Sequence, residues 1–356
     1  MKRIRTMSTL RARHFLGLGV FLGWSLALPQ GLPAEEISHQ RMLVPAVDVE
    51  GGGPPVITAV ALSPAGKLAA IAGDDHFVRL WEVETGKLVH ELRGHKDWVR
   101  AVAFCPTSPH LASASDDHTV RIWSLESGET IHALGGGHPI HCLAFRPDGA
   151  VLALGGFDGQ VRLFDAHGGK MVRALACPDI EVRALAISPN GRLLAAAGRN
   201  GHIRLWNANT YEPLREIAAH QQRIRALAFS ADSRQLVSGG DDCRLCIWQA
   251  DTGVETATLA HRGGKIETLV FCGNQLVVSG STDNSIRVWD IPTKAEILRL
   301  IGHTGSVATL AIHLPSGLLI SGSFDTTARI WKLPVDPKLQ ITNYNNKSEL
   351  VMPKGP

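Results

Sequence analysis

Apolar and polar residues alternate along most of this 356-residue chain with the period of two that marks a half-buried β-strand. Seven of the alternating runs end on an aromatic residue: "VRLW" at Trp81, "VRIW" at Trp123, "VRLF" at Phe164, "IRLW" at Trp206, "LCIW" at Trp248, "IRVW" at Trp289 and "ARIW" at Trp331. The aromatics stand 42, 41, 42, 42, 41 and 42 residues apart, so one unit recurs seven times. Six residues before each aromatic is a short polar side chain, Asp75, Asp117, Asp158, Asn200, Asp242, Asp283 or Asp325. An Asp or Asn there can bond the backbone of its own turn, which predicts a tight hairpin leading into each of these strands.

Upstream in each unit lies another strand, such as "VRAVAF", "IRALAF" or "VATLAI", often followed by a turn like "SPNGR". After the aromatic come a "VETGK"-like turn and a fourth strand, often closed by Gly-His or Ala-His. Four short strands joined by tight turns make a small antiparallel sheet with two apolar faces, and such a sheet cannot stand alone.

The period, the Gly-His near the unit boundary and the aromatic ending resemble the WD-repeat β-propeller family over about residues 41 to 334. The family's terminal Asp survives only in "VWD" (Val288 to Asp290) and "LFD" (Leu163 to Asp165), with Glu82, Ser124, Asn207, Gln249 or Lys332 elsewhere. The resemblance implies an all-β fold, a seven-bladed β-propeller of four-stranded antiparallel blades. The last unit lacks its own fourth strand, and the free apolar segment "RMLVPAVDV" before Gly51 is expected to supply it, so that an N-terminal strand closes the ring.

The family also carries a buried hydrogen-bond chain of His, Ser or Thr, Asp and Trp in each well-formed blade. His95, Ser113, Asp117 and Trp123 match it, as do His220, Ser238, Asp242 and Trp248, and His303, Ser321, Asp325 and Trp331. His261, Ser279, Asp283 and Trp289 fit with a loop one residue longer. In the other three units Ile71, Leu154 and Ala196 replace the Ser, Phe164 has no indole donor, Pro178 stands near the His position and His138 lies too close to its strand. Those blades are expected to be held mainly by packing.

The first 34 residues read differently. Lys2, Arg3, Arg5, Arg11 and Arg13 carry charge with no acid, and "FLGLGVFLGWSLAL" (15–28) follows without charge, the pattern of a secretory signal. Its 14 apolar residues fall short of the roughly 20 that a membrane-spanning helix needs. The domain reading is therefore a signal peptide over 1–34, cleaved near Ala34, a propeller over 35–334 and a flexible polar tail over 335–356. That tail includes the glycosylation triplet Asn346-Lys347-Ser348. An exported protein, periplasmic or secreted, is expected; a signal-anchored or cytoplasmic one is the alternative. Without residues 1–34 the 36 basic and 33 acidic side chains become 31 and 33, a formal charge of −2, which gives no support to nucleic-acid binding.

No phosphate loop, nucleophile elbow or haem-attachment motif occurs, and most histidines fall on repeat positions. The exception is "GGGHPIHC", with His138 and His141 near Cys142, and Cys243 and Cys246 are the other irregular pair. No catalytic residue, metal ligand or cofactor is assigned. The reading is a non-catalytic scaffold for a protein or peptide, of unassigned oligomeric state and with no membrane span in the mature chain. A propeller enzyme or metal binder with a site in the channel is the alternative.

The resemblance puts the loop before each first strand and the hairpin on one rim around the channel. The rim residues are then Val56, Trp98, Pro139, Glu181, Arg223, Lys265 and Ser306 from the loops, and Asp74, Asp116, Phe157, Arg199, Asp241, Thr282 and Phe324 from the hairpins. Trp98, Phe157, Phe324, Arg199 and Arg223 are residue types that dominate binding hot spots, and Lys265 adds a cation. Asp74, Asp116 and Asp241 suggest a face divided between acidic and basic arcs.

Overall fold

The computed structural model describes residues 35–38, 40–45, 53–135, 137–177 and 181–334. The expected leader, polar tail and glycosylation triplet, together with Pro178, lie outside the described residues. Within them, strands fold into seven sheets, each a blade whose neighbours in sequence are its neighbours in the sheet. Blade 1 runs Ile57–Leu62, Leu68–Gly73, Val78–Glu82, Leu88–Leu92, each antiparallel to the next. The first strands of blades 2 to 7 are Val99–Phe104, Ile140–Phe145, Val182–Ile187, Ile224–Phe229, Ile266–Cys272 and Val307–His313. These first strands touch one another in succession, and that of blade 7 touches that of blade 1, so the sheets form a ring.

The second strands explain why no blade stands alone. Five of six residues in Leu68–Gly73, and all six in Val151–Gly156 and Leu276–Ser281, are buried, so both faces of each blade are covered by its neighbours. One apolar cluster fills each gap between blades; that between blades 1 and 2 joins Leu80 and Leu92 to Phe104, Leu111 and Trp123. Fully burying one such side chain contributes roughly 2–3 kcal/mol.

The ring closes as the resemblance implied. Arg41–Leu43 pairs antiparallel with Ala328–Lys332 as the outer strand of blade 7, and buried Leu43 joins the cluster between blades 7 and 1. Of the described residues of "RMLVPAVDV", 41–45, three pair in this way. One strand had no counterpart in the reading: Glu35–Ser38 lies parallel to Leu298–Ile301, as a fifth strand on blade 6.

The hairpins recur in detail. The residue after the polar turn residue is left-handed in every blade: His76, His118, Gly159, Gly201, Cys243, Asn284 and Thr326 have φ of 70°, 69°, 63°, 78°, 59°, 69° and 68°. The turn side chain accepts the backbone N–H two residues on, as Asp117 does from Thr119 at 2.9 Å and Asn200 from His202 at 2.8 Å. The Cys243 and Cys246 thiols are free; Cys246 is buried in its strand and burial pushes it up to about 11.

In blades 2, 5 and 7 the hairpin Asp is met by a histidine. His95 Nδ1 is 2.8 Å from Asp117, its Nε2 is 2.7 Å from Ser113 Oγ, and Trp123 Nε1 donates to that hydroxyl at 2.8 Å. His220, Asp242, Ser238 and Trp248 repeat this at 2.9, 2.7 and 2.8 Å. His303, Asp325, Ser321 and Trp331 do so at 2.8, 2.7 and 2.8 Å.

Blade 6 departs from the expected chain. Trp289 still donates to Ser279 at 2.9 Å, but Arg287 reaches both Asp283 and His261 Nε2 and takes the position between them. His261 therefore joins neither Ser279 nor Asp283, and its Nδ1 is buried with no hydrogen-bond partner.

The same arginine position, two before the aromatic, serves blades 1 and 3. Arg79 bonds Asp75 at 2.5 Å and Arg162 bonds Asp158, so these blades are not held by packing alone. Blade 4 carries Asn200, which needs no counter-charge, and its Arg204 turns to Glu216 at 2.8 Å. The Ser replacements Ile71, Leu154 and Ala196 are buried, and the Trp81 indole N–H is left without a partner beside its blade's Ile71.

A buried carboxylate thus has a histidine or an arginine, and blade 5, with Cys246 at the arginine position, has only the histidine. His220→Ala is expected to lower stability by about 3 kcal/mol, and His95→Ala by at least about 1 kcal/mol less, because Arg121 stands four residues after Asp117. Adding Cys246→Arg should recover part of the His220→Ala loss. Urea unfolding of the three variants checks this, and equal losses without recovery would rule out substitution by arginine.

Candidate functional site

Main-chain hydrogen bonds assemble the rim. In each blade the residue before the hairpin Asp or Asn donates its N–H to the carbonyl of the residue ahead of the first strand. Asp116 bonds Trp98 O at 3.0 Å, Phe157 Pro139 O at 3.4 Å, Arg199 Glu181 O at 3.3 Å, and Asp241 Arg223 O at 2.9 Å. Asp74 with Val56, Thr282 with Lys265 and Phe324 with Ser306 complete the set at 3.3, 3.0 and 3.0 Å. The fourteen residues thus sit as seven adjacent pairs. Glycine precedes four of the hairpin partners because a Cβ at Gly198, for instance, would lie 1.7 Å from Glu181 O.

A second ring lies inside the first. Every first strand slips by one residue against its second strand after its opening position, and the skipped residues are Thr58, Arg100, His141, Arg183, Arg225, Glu267 and Ala308. A bulge re-aims a side chain. All seven line the mouth of a cavity of about 450 Å³ enclosed by the first strands. The reading from sequence missed this ring, although a polar residue at the second position of six of the seven first strands was the available signal.

Of the expected rim residues, Trp98, Phe157 and Phe324 are 37%, 41% and 53% exposed, so none is a buried loop aromatic. The Arg100 guanidinium lies 4.5 Å over the Trp98 ring, and Phe157 stands edge-on to His141 with ring centres 4.3 Å apart. Phe324 also lines the cavity. Arg199 and Lys265 are exposed, Arg223 is half-buried and Glu181 is buried.

The expected acidic residues do not form an arc of their own. Asp116 accepts from Arg100 at 2.8 and 2.6 Å. Asp241 is bonded by Arg225 and lies 3.6 Å from Lys265, while Arg225 reaches Glu267 at 2.8 Å. Asp74 Oδ1 braces the Val56 N–H at 2.9 Å. All three acids are half-buried, Asp116 and Asp241 beside inner-ring arginines and Asp74 on a backbone N–H, and a carboxylate leaving water is stable only next to a donor. Burial alone would raise Asp241, but the Arg225 bond and the surrounding cations bring it below the usual carboxylate range.

His141 is the least exposed of the inner ring, at only 8%. Burial first, then the Arg183, Arg100 and Arg223 charges, lower its pKa to about 3. Arg183 Nη1 lies 2.9 Å from His141 Nδ1, and a guanidinium only donates, so Nδ1 accepts and the neutral ring carries its proton on Nε2. Nearby, His138 lies 3.5 Å from Asp158, and the Cys142 thiol faces the Gly155 and Val182 carbonyls at 3.6 and 3.7 Å, pushed up to about 12 by burial. The three do not converge, and no metal-binding group of three or more His, Cys, Asp or Glu occurs among the described residues. No helix among them is long and apolar enough to cross a membrane.

Comparison with known proteins agrees with the ring. A family model described as "Echinoderm microtubule-associated protein second beta-propeller" matches residues 98–267, and one described as "WD domain, G-beta repeat" matches 49–82, 253–290 and 294–332. A probable serine/threonine-protein kinase of Thermomonospora curvata is 36% identical over 86 residues, 22% of this chain and 12% of the kinase. An uncharacterized WD repeat-containing protein of Nostoc is 50% identical over 44 residues, 12% of this chain and 4% of its own length. The chain therefore spans only a small part of either relative.

The buried imidazoles set an acid limit. His141 and His261, lowered to about 3 and about 4 by burial and then by arginine charge, are neutral in the fold, whereas the unfolded chain takes up protons near 6.5. Their stabilisation is complete above 6.5 and is lost as pH falls to about 4 for His261 and about 3 for His141, at up to about 1.4 kcal/mol per pH unit for each proton. Asp325, which burial alone would raise, is lowered to about 2 by its hydrogen bonds, so its contribution is lost only below about 3.8. The urea midpoint should fall steadily between pH 6.5 and 4.5, before the carboxylates titrate; a flat profile over that range would show that the two rings take up protons in the fold as readily as in the unfolded chain.

Proposed function

The chain belongs to the WD-repeat β-propeller family, and on that premise we propose that it is a non-catalytic scaffold that binds a protein or peptide partner through the rim around the channel mouth. Propellers of this family are usually non-catalytic and generally bind protein partners. The observation that carries the proposal is the exposure of Trp98, Phe157 and Phe324 on that rim, where a packed core gains nothing from them. Each is held by a main-chain bond at the base of its loop or hairpin, so little ordering remains to be done on association. Aromatics on a braced backbone among arginines match the composition of interface hot spots. The kinase name belongs to the Thermomonospora relative, of which the aligned segment is a minor part, and kinase activity is not part of the proposal.

The partner is proposed to lie outside the cytoplasm. That rests on the basic and then apolar residues 1–34, and N-terminal sequencing of the mature protein tests it: a start near Glu35 is expected, and retention of residues 1–27 would overturn it. For the rim, pull-down from the extracytoplasmic fraction should capture a partner with the intact protein. Capture should fall by at least about tenfold with Trp98→Ala plus Phe324→Ala, since two hot-spot truncations cost at least about 2 kcal/mol. Unchanged capture by a folded double variant, checked by circular dichroism, would count against this face.

A further inference from the structure

We propose that the channel mouth beside blades 2 to 4 seats a carboxylate from an acidic segment of the partner, with the guanidinium groups of Arg100 and Arg183 and the Nε2–H of His141 as its donors. This rests on the reading of the rim as the partner-binding face and names the chemistry recognised there.

The first support is an unanswered donor. His141 Nδ1 accepts from Arg183, so the ring proton is on Nε2, and that atom is buried with no hydrogen-bond partner. A buried N–H without an acceptor costs about 1–3 kcal/mol, and because His141 lines the cavity, a turn of its ring toward the opening lets an incoming oxygen recover this. A cationic or purely apolar ligand would leave the donor as it is.

The second support is the balance of charge. On this arc Arg100, Arg183 and Arg223 face two carboxylates, Asp116 and Glu181. Glu181 is shared: Arg223 lies 3.2 Å from it, and Arg183 Nε lies 2.6 Å away but outside hydrogen-bond alignment. Burial and then three neighbouring arginines pull Arg183 below its ordinary value in spite of Glu181. Farther round the ring the charges balance, with Arg225 and Lys265 against Asp241 and Glu267. A cavity of about 450 Å³ has room for an acidic side chain, and Trp98 and Phe157 flank this arc to pack its neighbours.

The probe is a fluorescein-labelled tetraglutamate peptide titrated into the full-length protein at low ionic strength, with tetraglutamine and tetralysine as controls. Tetraglutamate alone should bind, and Arg183→Gln and His141→Phe should each weaken it at least about tenfold, the loss expected for a charge-assisted hydrogen bond. Arg215→Gln, on the outer strand of blade 4, should leave binding unchanged and controls for net charge. If a variant fails to fold, long-range proton–nitrogen NMR of the wild-type His141 ring replaces it: saturating tetraglutamate should shift the Nε2 resonance.

An unshifted ring, equal binding of tetraglutamine, or equal displacement of the peptide by inorganic phosphate would overturn the proposal. Partner capture that needs the rim aromatics but ignores excess tetraglutamate and Arg183→Gln would remove the carboxylate seat and leave the scaffold reading in place. Tetraglutamate binding at His141 without partner capture would do the reverse.

Discussion

A carboxylate that leaves water must be met by a donor, and in this ring the requirement is repeated at nearly every blade. The hairpin aspartate ends the second strand, turns the chain by accepting the N–H two residues on, and points its remaining oxygen inward. In blades 2 and 7 that oxygen also accepts the backbone N–H of Lys96 or Thr304, in the loop that enters the blade. One side chain thus joins hairpin, loop and, through His and Ser, the buried tryptophan. The cost of burying its charge is offset only because each partner is already in place.

Three arrangements satisfy the requirement. Histidine does so in blades 2, 5 and 7, arginine from the neighbouring strand does so in blades 1, 3 and 6, and in blade 4 asparagine removes the charge. The arginine lies on the strand four residues after the aspartate, so it is always within reach, whatever the entering loop contains. Histidine has to arrive on a loop of the right length, and blade 6 shows the result when it does not: Arg287 takes the aspartate and His261 is displaced. Where the carboxylate is held, the residue before it keeps its N–H on the carbonyl of the entering loop, and the rim inherits its geometry from that bond.

Much of this was legible in the sequence, because a seven-fold register turns one ambiguous strand into a column of seven. The hairpins and the His-Ser-Trp chains of blades 2, 5 and 7 came from positions that repeat, and the closing strand from the place that the last unit leaves empty. The inner ring did not, for a physical reason. In "VRAVAF" Arg100 takes part in an ordinary alternation, and only the pairing with the next strand shows that the register slips there and brings the residue to the channel mouth. The pairing of Asp116 and Asp241 with Arg100 and Arg225 follows from that slip, so the charge pattern was misjudged with it. The strand Glu35–Ser38 is four residues paired in parallel at an outer edge, too short to carry a period of its own.

Asymmetry among the blades then bears on function. Seven identical blades would present seven identical residues to the channel, whereas Thr58, Arg100, His141, Arg183, Arg225, Glu267 and Ala308 are five residue types of different charge, size and donor count. The bulge frees this position from the alternation that packing imposes, so it varies without disturbing a core. The arginine two before each aromatic has no such freedom where it guards a carboxylate. At Cys246 the carboxylate is held without an arginine, since His220 Nδ1 lies 2.9 Å from both oxygens of Asp242. Substitution is therefore tolerated where a partner is redundant, and chemical variety accumulates where the backbone has stepped out of register.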